Sequence, residues 1–198
     1  GKAKYVFYFI GDGMGVNQVN GTEMYLAEKN GKIGAESLLF TQFPVAGVAT
    51  TFSGTNSVTD SSAAGTALST GAKTYNGAIG LDKNKKQLVT VAERAKRSGK
   101  RVGVATTVSI DHATPAAFFA HIDHRDKEAD IAGQMVDSGV DVFFGGGDRF
   151  LQPQSVKGSK RKDDRNIYNE LAAKGYKVLN TVAELRSFDA AKTPGLEI

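Results

Sequence analysis

The chain has 198 residues, with 25 Lys and Arg against 21 Asp and Glu, for a net charge of +4. A composition of 40% hydrophobic and 23% charged residues with 23 glycines is that of a globular protein, which excludes a disordered or fibrous chain. The sequence has no cysteine, which excludes disulfides, thiolate zinc sites and cysteine nucleophiles together, and no apolar run approaches the length of a membrane span.

Tyr5 to Ile10, "YVFYFI", is an unbroken run of β-formers ending in "GDGMG". A run apolar on both faces predicts a buried parallel strand. A helix is expected next, around Gly15 to Lys29, and "VAGVATT", Val45 to Thr51, is a second candidate strand. Ser61 to Thr70 reads as a helix with Asp60 or Ser61 near its N-cap. "QLVTVAERAKRSGK" is an amphipathic helix ending at Gly99, with Lys96 and Arg97 in its last turn, where cations suit the helix dipole. "RVGVATT" from Arg101 is a further buried strand, "DKEADIAGQMVDSG" a helix closed by Gly139, and "VDVFFGGG" a strand running into glycines. The basic run Lys157 to Arg165, "KGSKRKDDR", reads as a solvated loop. A nucleic-acid partner would need a basic face interleaved with aromatics, and none is present. "DRNIYNELAAKGY" is a helix, "KVLN" a strand, "TVAELRSF" a capped short helix, and the tail "DAAKTPGLEI" is where another strand could begin.

This alternation predicts an α/β fold with a mainly parallel central sheet and helices on both faces. The length suits one domain by default and leaves room for two. The chain opens directly in its first predicted strand, so any export signal is expected to have been trimmed.

Ligands in open α/β sheets bind at the carboxyl ends of strands. Three polar clusters fall at such ends. Asp12 lies between glycines in "IGDGMG" and either caps the next helix or offers a carboxylate to a hard cation. Ser61 follows Asp60 at a helix start; it is either a cap residue or a nucleophile facing a phosphate held by the free N–H groups of that helix end. Ala63, Ala64 and Gly65 would leave the approach unobstructed, and the absence of Gly-x-Ser-x-Gly argues against an α/β-hydrolase elbow. The third cluster, "SIDHATPAAFFAHIDHRD", holds His112, His121 and His124. His121 and His124 read as surface or hydrogen-bonding residues rather than a zinc pair. Thr114 offers an oxygen, and the planar fork of Arg125 suits a phosphate. A carboxylate for a metal, a serine at a helix start and an arginine clamp form the inventory for phosphoryl transfer through a covalent phosphoserine.

"FIGDGMG", "VTDSSAAGTALSTGAKTYNGAIGLD" and "DHATPAAFFAHIDHR" closely resemble the alkaline phosphatase family, in order and well spaced from about Tyr5 to Gly147. That resemblance implies hydrolysis of phosphate monoesters with zinc and magnesium as cofactors. It implies that Asp12 bridges one zinc and the magnesium site, that Ser61 is the phosphorylated nucleophile and a ligand of that zinc, and that Asp60 bonds the phosphate-binding Arg125. It further implies that Thr114 is a magnesium ligand, with His112 beside the metals at a position where family members carry aspartate or histidine. Asp111, one position off, is assigned no ligand role. The family's remaining zinc ligands lie further toward the C-terminus than Ile198. Residues 1–198 are therefore expected to be the N-terminal portion of a single alkaline phosphatase domain, working as a homodimer or with its C-terminal portion, in the periplasm or outside the cell. The alternative expectation is a non-catalytic fragment that binds phosphate or metal weakly. A sulfatase or phosphodiesterase is disfavoured, because the "TDSSAAGTA" context is that of monoesterases.

Overall fold

A computed structural model describes residues 3–197. The chain divides into two compact units, one up to Thr50 and one from Thr51 onward.

The first unit is organised around helix α1 (Val16–Lys29). Its N-cap is Gly15, whose N–H is taken by the Gln18 side-chain oxygen at 3.0 Å, so Asp12 does not hold the capping position. Asp12 sits instead in the turn closed by Met14 N–H on the Gly11 carbonyl at 3.2 Å. On α1, Glu23 accepts from Leu38 N–H at 2.9 Å and from the Thr41 hydroxyl at 2.6 Å, fastening the following segment to the helix. No β-strand forms at Tyr5–Ile10 or Val45–Thr51 among the described residues, contrary to the expectation from their apolar runs. Such a run specifies a demand for burial; a parallel strand exists only where a neighbour supplies the ladder. The side chains from Tyr5 to Phe9 are 55–85% exposed.

The second unit holds the sheet. In chain order it contains α2 (Ser61–Thr70), α3 (Val91–Arg97), β1 (Gly103–Ser109), α4 (Ala113–Ala116) and α5 (Glu128–Gln134). These are followed by β2 (Val142–Gly146), α6 (Asp148–Leu151), α7 (Ile167–Ala173), β3 (Lys177–Leu179), α8 (Val182–Ser187) and β4 (Gly195–Glu197). The strands are all parallel, in spatial order β1-β2-β4-β3. The predicted α/β class with a parallel sheet therefore stands, and the tail does form a strand. Val104, Phe143 and Leu196 face one another across the three neighbouring strands β1, β2 and β4, and all three are buried. Phe119, Ile131, Met135, Leu171 and Tyr176 join them in the core. Helix starts follow local chemistry: Thr90 and Thr181 each accept from the N–H three residues on, and Glu93 and Glu184 reach back in capping boxes.

Asp141, just before β2, ties the sheet to α3. Its carboxylate accepts from Lys96 Nζ and from Val102 N–H, each at 2.8 Å, with Arg101 at 3.6 Å. Burial alone would raise this carboxyl, but those hydrogen bonds and the charges of Lys96 and Arg101 outweigh it and hold it below the ordinary range. A carboxyl lowered by folding contributes stability above its unfolded value, and that contribution is lost as pH falls through the folded value. Asp141→Asn is expected to cost about 1–3 kcal/mol at pH 7, and progressively less at acid pH as the wild type loses its charge on approach to its lowered folded value. Urea unfolding of both forms at neutral and acid pH checks this; equal stabilities at neutral pH would contradict it.

The 157–165 run is not uniformly solvated. Arg161 is only 3% exposed, and its guanidinium reaches both Asp163 oxygens (2.6 and 2.7 Å) and the carbonyls of Ala129 (2.9 Å) and Phe150 (3.1 Å). A buried cation is tolerated there because its donors are satisfied. Among the described residues no helix is long and apolar enough to cross a membrane.

Candidate active site

The site grows from the start of α2. Asp60 is the N-cap: its Oδ1 accepts from Ala63 N–H at 2.9 Å, satisfying one of the open donors of the first turn. Its Oδ2 accepts from Gly77 N–H at 2.9 Å and from the Ser62 hydroxyl, and lies 3.5 Å from Arg125 Nη1. Burial alone would raise the Asp60 carboxyl; the Ser62 hydroxyl, the two backbone N–H groups and the Arg125 charge together hold it below the ordinary range. Asp60 is thus an ionised anchor with four donors around it. Ser61 is the next residue, the first of α2, at the positive end of a ten-residue helix.

Arg125 is fixed at both ends. Its N–H donates to the Gly77 carbonyl at 2.9 Å, and its guanidinium lies between Asp60 and His112, whose Nε2 is 3.3 Å from Nη2. Arginine has no acceptor to offer, so Nε2 receives that bond and the hydrogen of a neutral ring sits on Nδ1. His112 Nδ1 is buried without a hydrogen-bond partner.

The small residues of α2 have a packing role that the sequence reading assigned to ligand approach. A Cβ at Gly65 would stand 2.9 Å from Ala117 Cβ and 3.7 Å from Thr114 Cα, so only glycine lets α2 lie this close to α4 and the residue after it. Ser62, Thr66 and Ser69 are buried too. Thr66 Oγ1 donates to the Ala78 carbonyl at 3.2 Å and accepts from Gly80 N–H at 3.0 Å. Ser61 lies one turn before Gly65 on the same side of the helix.

Among the predicted site residues, Asp60, Arg125 and His112 are therefore in direct contact, Ser61 is contiguous with Asp60, and Thr114 packs on α2 at Gly65. Asp12 belongs to the first unit. His121 is not placed as a metal ligand: its Nδ1 is 2.9 Å from the Gly80 carbonyl and its Nε2 is 2.8 Å from Glu93 Oε1. His124 is exposed beside Asp126, at 3.5 Å. The sequence reading did not single out Gly77, whose N–H and carbonyl serve Asp60 and Arg125, or Asn76, whose side chain accepts from Asp60 N–H at 3.3 Å and donates to the Val58 carbonyl at 3.1 Å. The Asn-Gly pair in "TYNGAIG" was the available turn signal.

Two further observations bear on metals. Asp111 is fully buried, neither of its oxygens has a partner, and burial raises it to about 6. Among the described residues, no three His, Cys, Asp or Glu side chains group as a metal-binding cluster. Zinc takes three or four nitrogen, sulfur or carboxylate ligands. Ser61 and Thr114 offer hydroxyls, and the Asp60 carboxylate is already committed to its own donors. The donors described here do not complete a zinc shell.

The family model for alkaline phosphatase matches residues 3–196. The chain is 36% identical to alkaline phosphatase 4 of Bacillus subtilis over 201 residues, covering 96% of this chain and 41% of that protein. It is 30% identical to the alkaline phosphatase of Escherichia coli, covering 96% of this chain and 44% of that one. Among solved structures, the cold-active enzyme from Shewanella superposes with a TM-score of 0.80 at 34% identity, covering 96% of this chain and 44% of its own. The Thermus thermophilus alkaline phosphatase gives 0.80 at 35% identity, covering 94% and 38%. The chain spans less than half the length of each of these relatives.

Proposed function

The chain belongs to the alkaline phosphatase family, and on that premise we propose that the complete protein hydrolyses phosphate monoesters through a covalent phosphoserine at Ser61. The Ser61 hydroxyl gives up its proton as its oxygen forms a bond to phosphorus in line with the ester oxygen. The phosphorus–ester bond breaks, and the alcohol departs with the electron pair and takes up a proton. Water then cleaves the phosphoserine, releasing inorganic phosphate and returning the hydroxyl. Arg125 and the N–H groups at the start of α2 hold the non-bridging oxygens, over which charge spreads in a loose transition state. Asp60 orients Arg125 and, as the ionised cap, fixes the helix end that carries the nucleophile.

The observation that carries this reading is the Asp60–Arg125 contact, 3.5 Å long, at the very start of the helix that begins with Ser61. Zinc and magnesium are proposed for the whole protein only, with Ser61 and Thr114 as contributing oxygens from the second unit, because the donors among the described residues do not complete a zinc shell. A point mutant of the relative from the Antarctic bacterium TAB5 has been solved with Mg bound in its M3 site. Bound metals of this kind supply Lewis-acid stabilisation of charge on oxygen. Both units are proposed to belong to one catalytic domain of an exported homodimer. The exposed apolar run Tyr5 to Phe9 supports a covering surface from the rest of the protein or from a second copy.

Acid quenching of the complete protein during turnover, followed by peptide mass spectrometry, is expected to find the phosphoryl group on the peptide carrying Ser61. An adduct on another residue, or none under conditions of rapid turnover, counts against the mechanism. A second reading is that the 198-residue chain alone binds phosphate without turning it over, favoured by the described residues, among which no three ligating side chains group together. Offering p-nitrophenyl phosphate to this chain by itself separates the two.

A further inference from the structure

We propose that His121 is a positioning residue: with hydrogen on both ring nitrogens it ties Gly80 to Glu93 and so holds the 77–80 segment that orients the Arg125–Asp60 pair. This rests on the reading of Arg125 as the phosphate clamp.

The His121 ring has a partner at each nitrogen. Nδ1 faces the Gly80 carbonyl at 2.9 Å, and a carbonyl only accepts. Nε2 faces Glu93 Oε1 at 2.8 Å. Burial alone would raise the Glu93 carboxyl, but the hydrogen bonds from His121 and from Thr90 N–H hold it below the ordinary range, so it too only accepts. A neutral imidazole has one N–H, whereas this geometry uses two. Asp130, Asp137 and Arg165 are the other charged groups lining the cleft beside the ring, and Arg165 is engaged by Glu170 at 2.6 Å. The His121 backbone is fixed independently: Gln134 accepts from its N–H at 2.8 Å and donates to its carbonyl at 3.1 Å.

The segment that His121 grips leads directly to the site. Gly80 has φ +63°, and a Cβ there would stand 2.4 Å from the Ala120 carbonyl and 2.5 Å from His121 Nδ1, so the close approach demands glycine. Ile79 and Ile122 exchange hydrogen bonds of 3.0 and 2.9 Å. Two residues earlier, Gly77 donates to Asp60 Oδ2 and accepts from Arg125 N–H, each at 2.9 Å. One four-residue segment thus runs from the His121 ring to both members of the phosphate-facing pair. Thr66 secures its middle from the α2 side, leaving His121 and Leu88 N–H as the groups on the Gly80 carbonyl.

The test uses the complete protein and needs no turnover, so it can fail while the phosphatase reading survives, and the reverse. Side-chain nitrogen NMR at neutral pH is expected to show two N–H groups on the His121 ring, identified by their loss in His121→Gln. A single N–H overturns the proposal. In His121→Ala, hydrogen exchange at the Gly77 and Arg125 amides is expected to accelerate about tenfold or more relative to β2. Unchanged rates, or a uniform acceleration that includes β2, overturn it. In Glu93→Gln the amide can donate to Nε2, so the ring is expected to keep only its Nδ1 hydrogen while the Gly77 and Arg125 amides stay protected. Two ring N–H groups in that variant would remove Glu93 as the partner and overturn the proposal.

Discussion

Ser61→Ala in the complete protein is expected to reduce kcat/KM for p-nitrophenyl phosphate by at least about a thousandfold, the scale of losing a covalent nucleophile. The fold should not change with it. The cap of α2 is Asp60, bonded to Ala63 N–H at 2.9 Å, and alanine is the best helix former, so the first turn keeps its anchor. Arg125 retains its contacts to Asp60, His112 and the Gly77 carbonyl, none of which involves Ser61. Inhibition by inorganic phosphate should therefore persist in the variant, and its melting temperature should stay within a few degrees. Turnover that survives the substitution would remove Ser61 from the chemistry. Loss of turnover together with loss of phosphate inhibition would mean that the substitution had disturbed Arg125 instead.

Phe143→Ala is expected to cost about 3–5 kcal/mol, the range for emptying a large aromatic site in a core. Phe143 is fully buried at the centre of β2, between Val104 on β1 and Leu196 on β4. Its ring meets Phe119 edge-on, with centroids 5.2 Å apart at 79°, and stacks on Tyr176 at 6.3 Å and 24°. Tyr176 in turn donates its hydroxyl to the Val140 carbonyl and cannot easily tilt inward to fill the space. The cavity should therefore stay open rather than collapse. With typical domain stabilities of about 5–15 kcal/mol, a loss of this size is a large share of the total. Denaturant unfolding should show a lower midpoint with an unchanged slope. A loss below about 1 kcal/mol would show that the core relaxes around the gap.

Much of the second unit was legible because its signals are local. Asp60 three residues before Ala63, Thr90 before Glu93 and Thr181 before Glu184 announce helix starts through bonds made within one turn. The apolar run from Arg101 announced β1, and the run ending in glycines announced β2. What could not be read is what depends on distant partners. The His121 ring meets Gly80 and Glu93, 41 and 28 positions away, and Gly77 acts through backbone atoms that any residue type possesses. Arg161 sits in a run whose charge suggests solvent, yet its guanidinium is claimed by carbonyls 11 and 32 positions earlier. At Tyr5 to Ile10 the pattern recorded a need for burial without naming the neighbour that would meet it. Gly65 looked like clearance for a ligand because a missing side chain reads the same whether the space is left for a ligand or for Ala117.

The strand order β1-β2-β4-β3 puts the last of the four described strands between two that precede it. A ribosome releases β2 and then β3 with a gap between them, and only Gly195–Glu197 closes it. Until those three residues emerge, β3 has no hydrogen-bonded neighbour among the described strands and β2 lacks its partner on one side, the kind of intermediate on which a chaperone or a neighbouring nascent chain gains its hold.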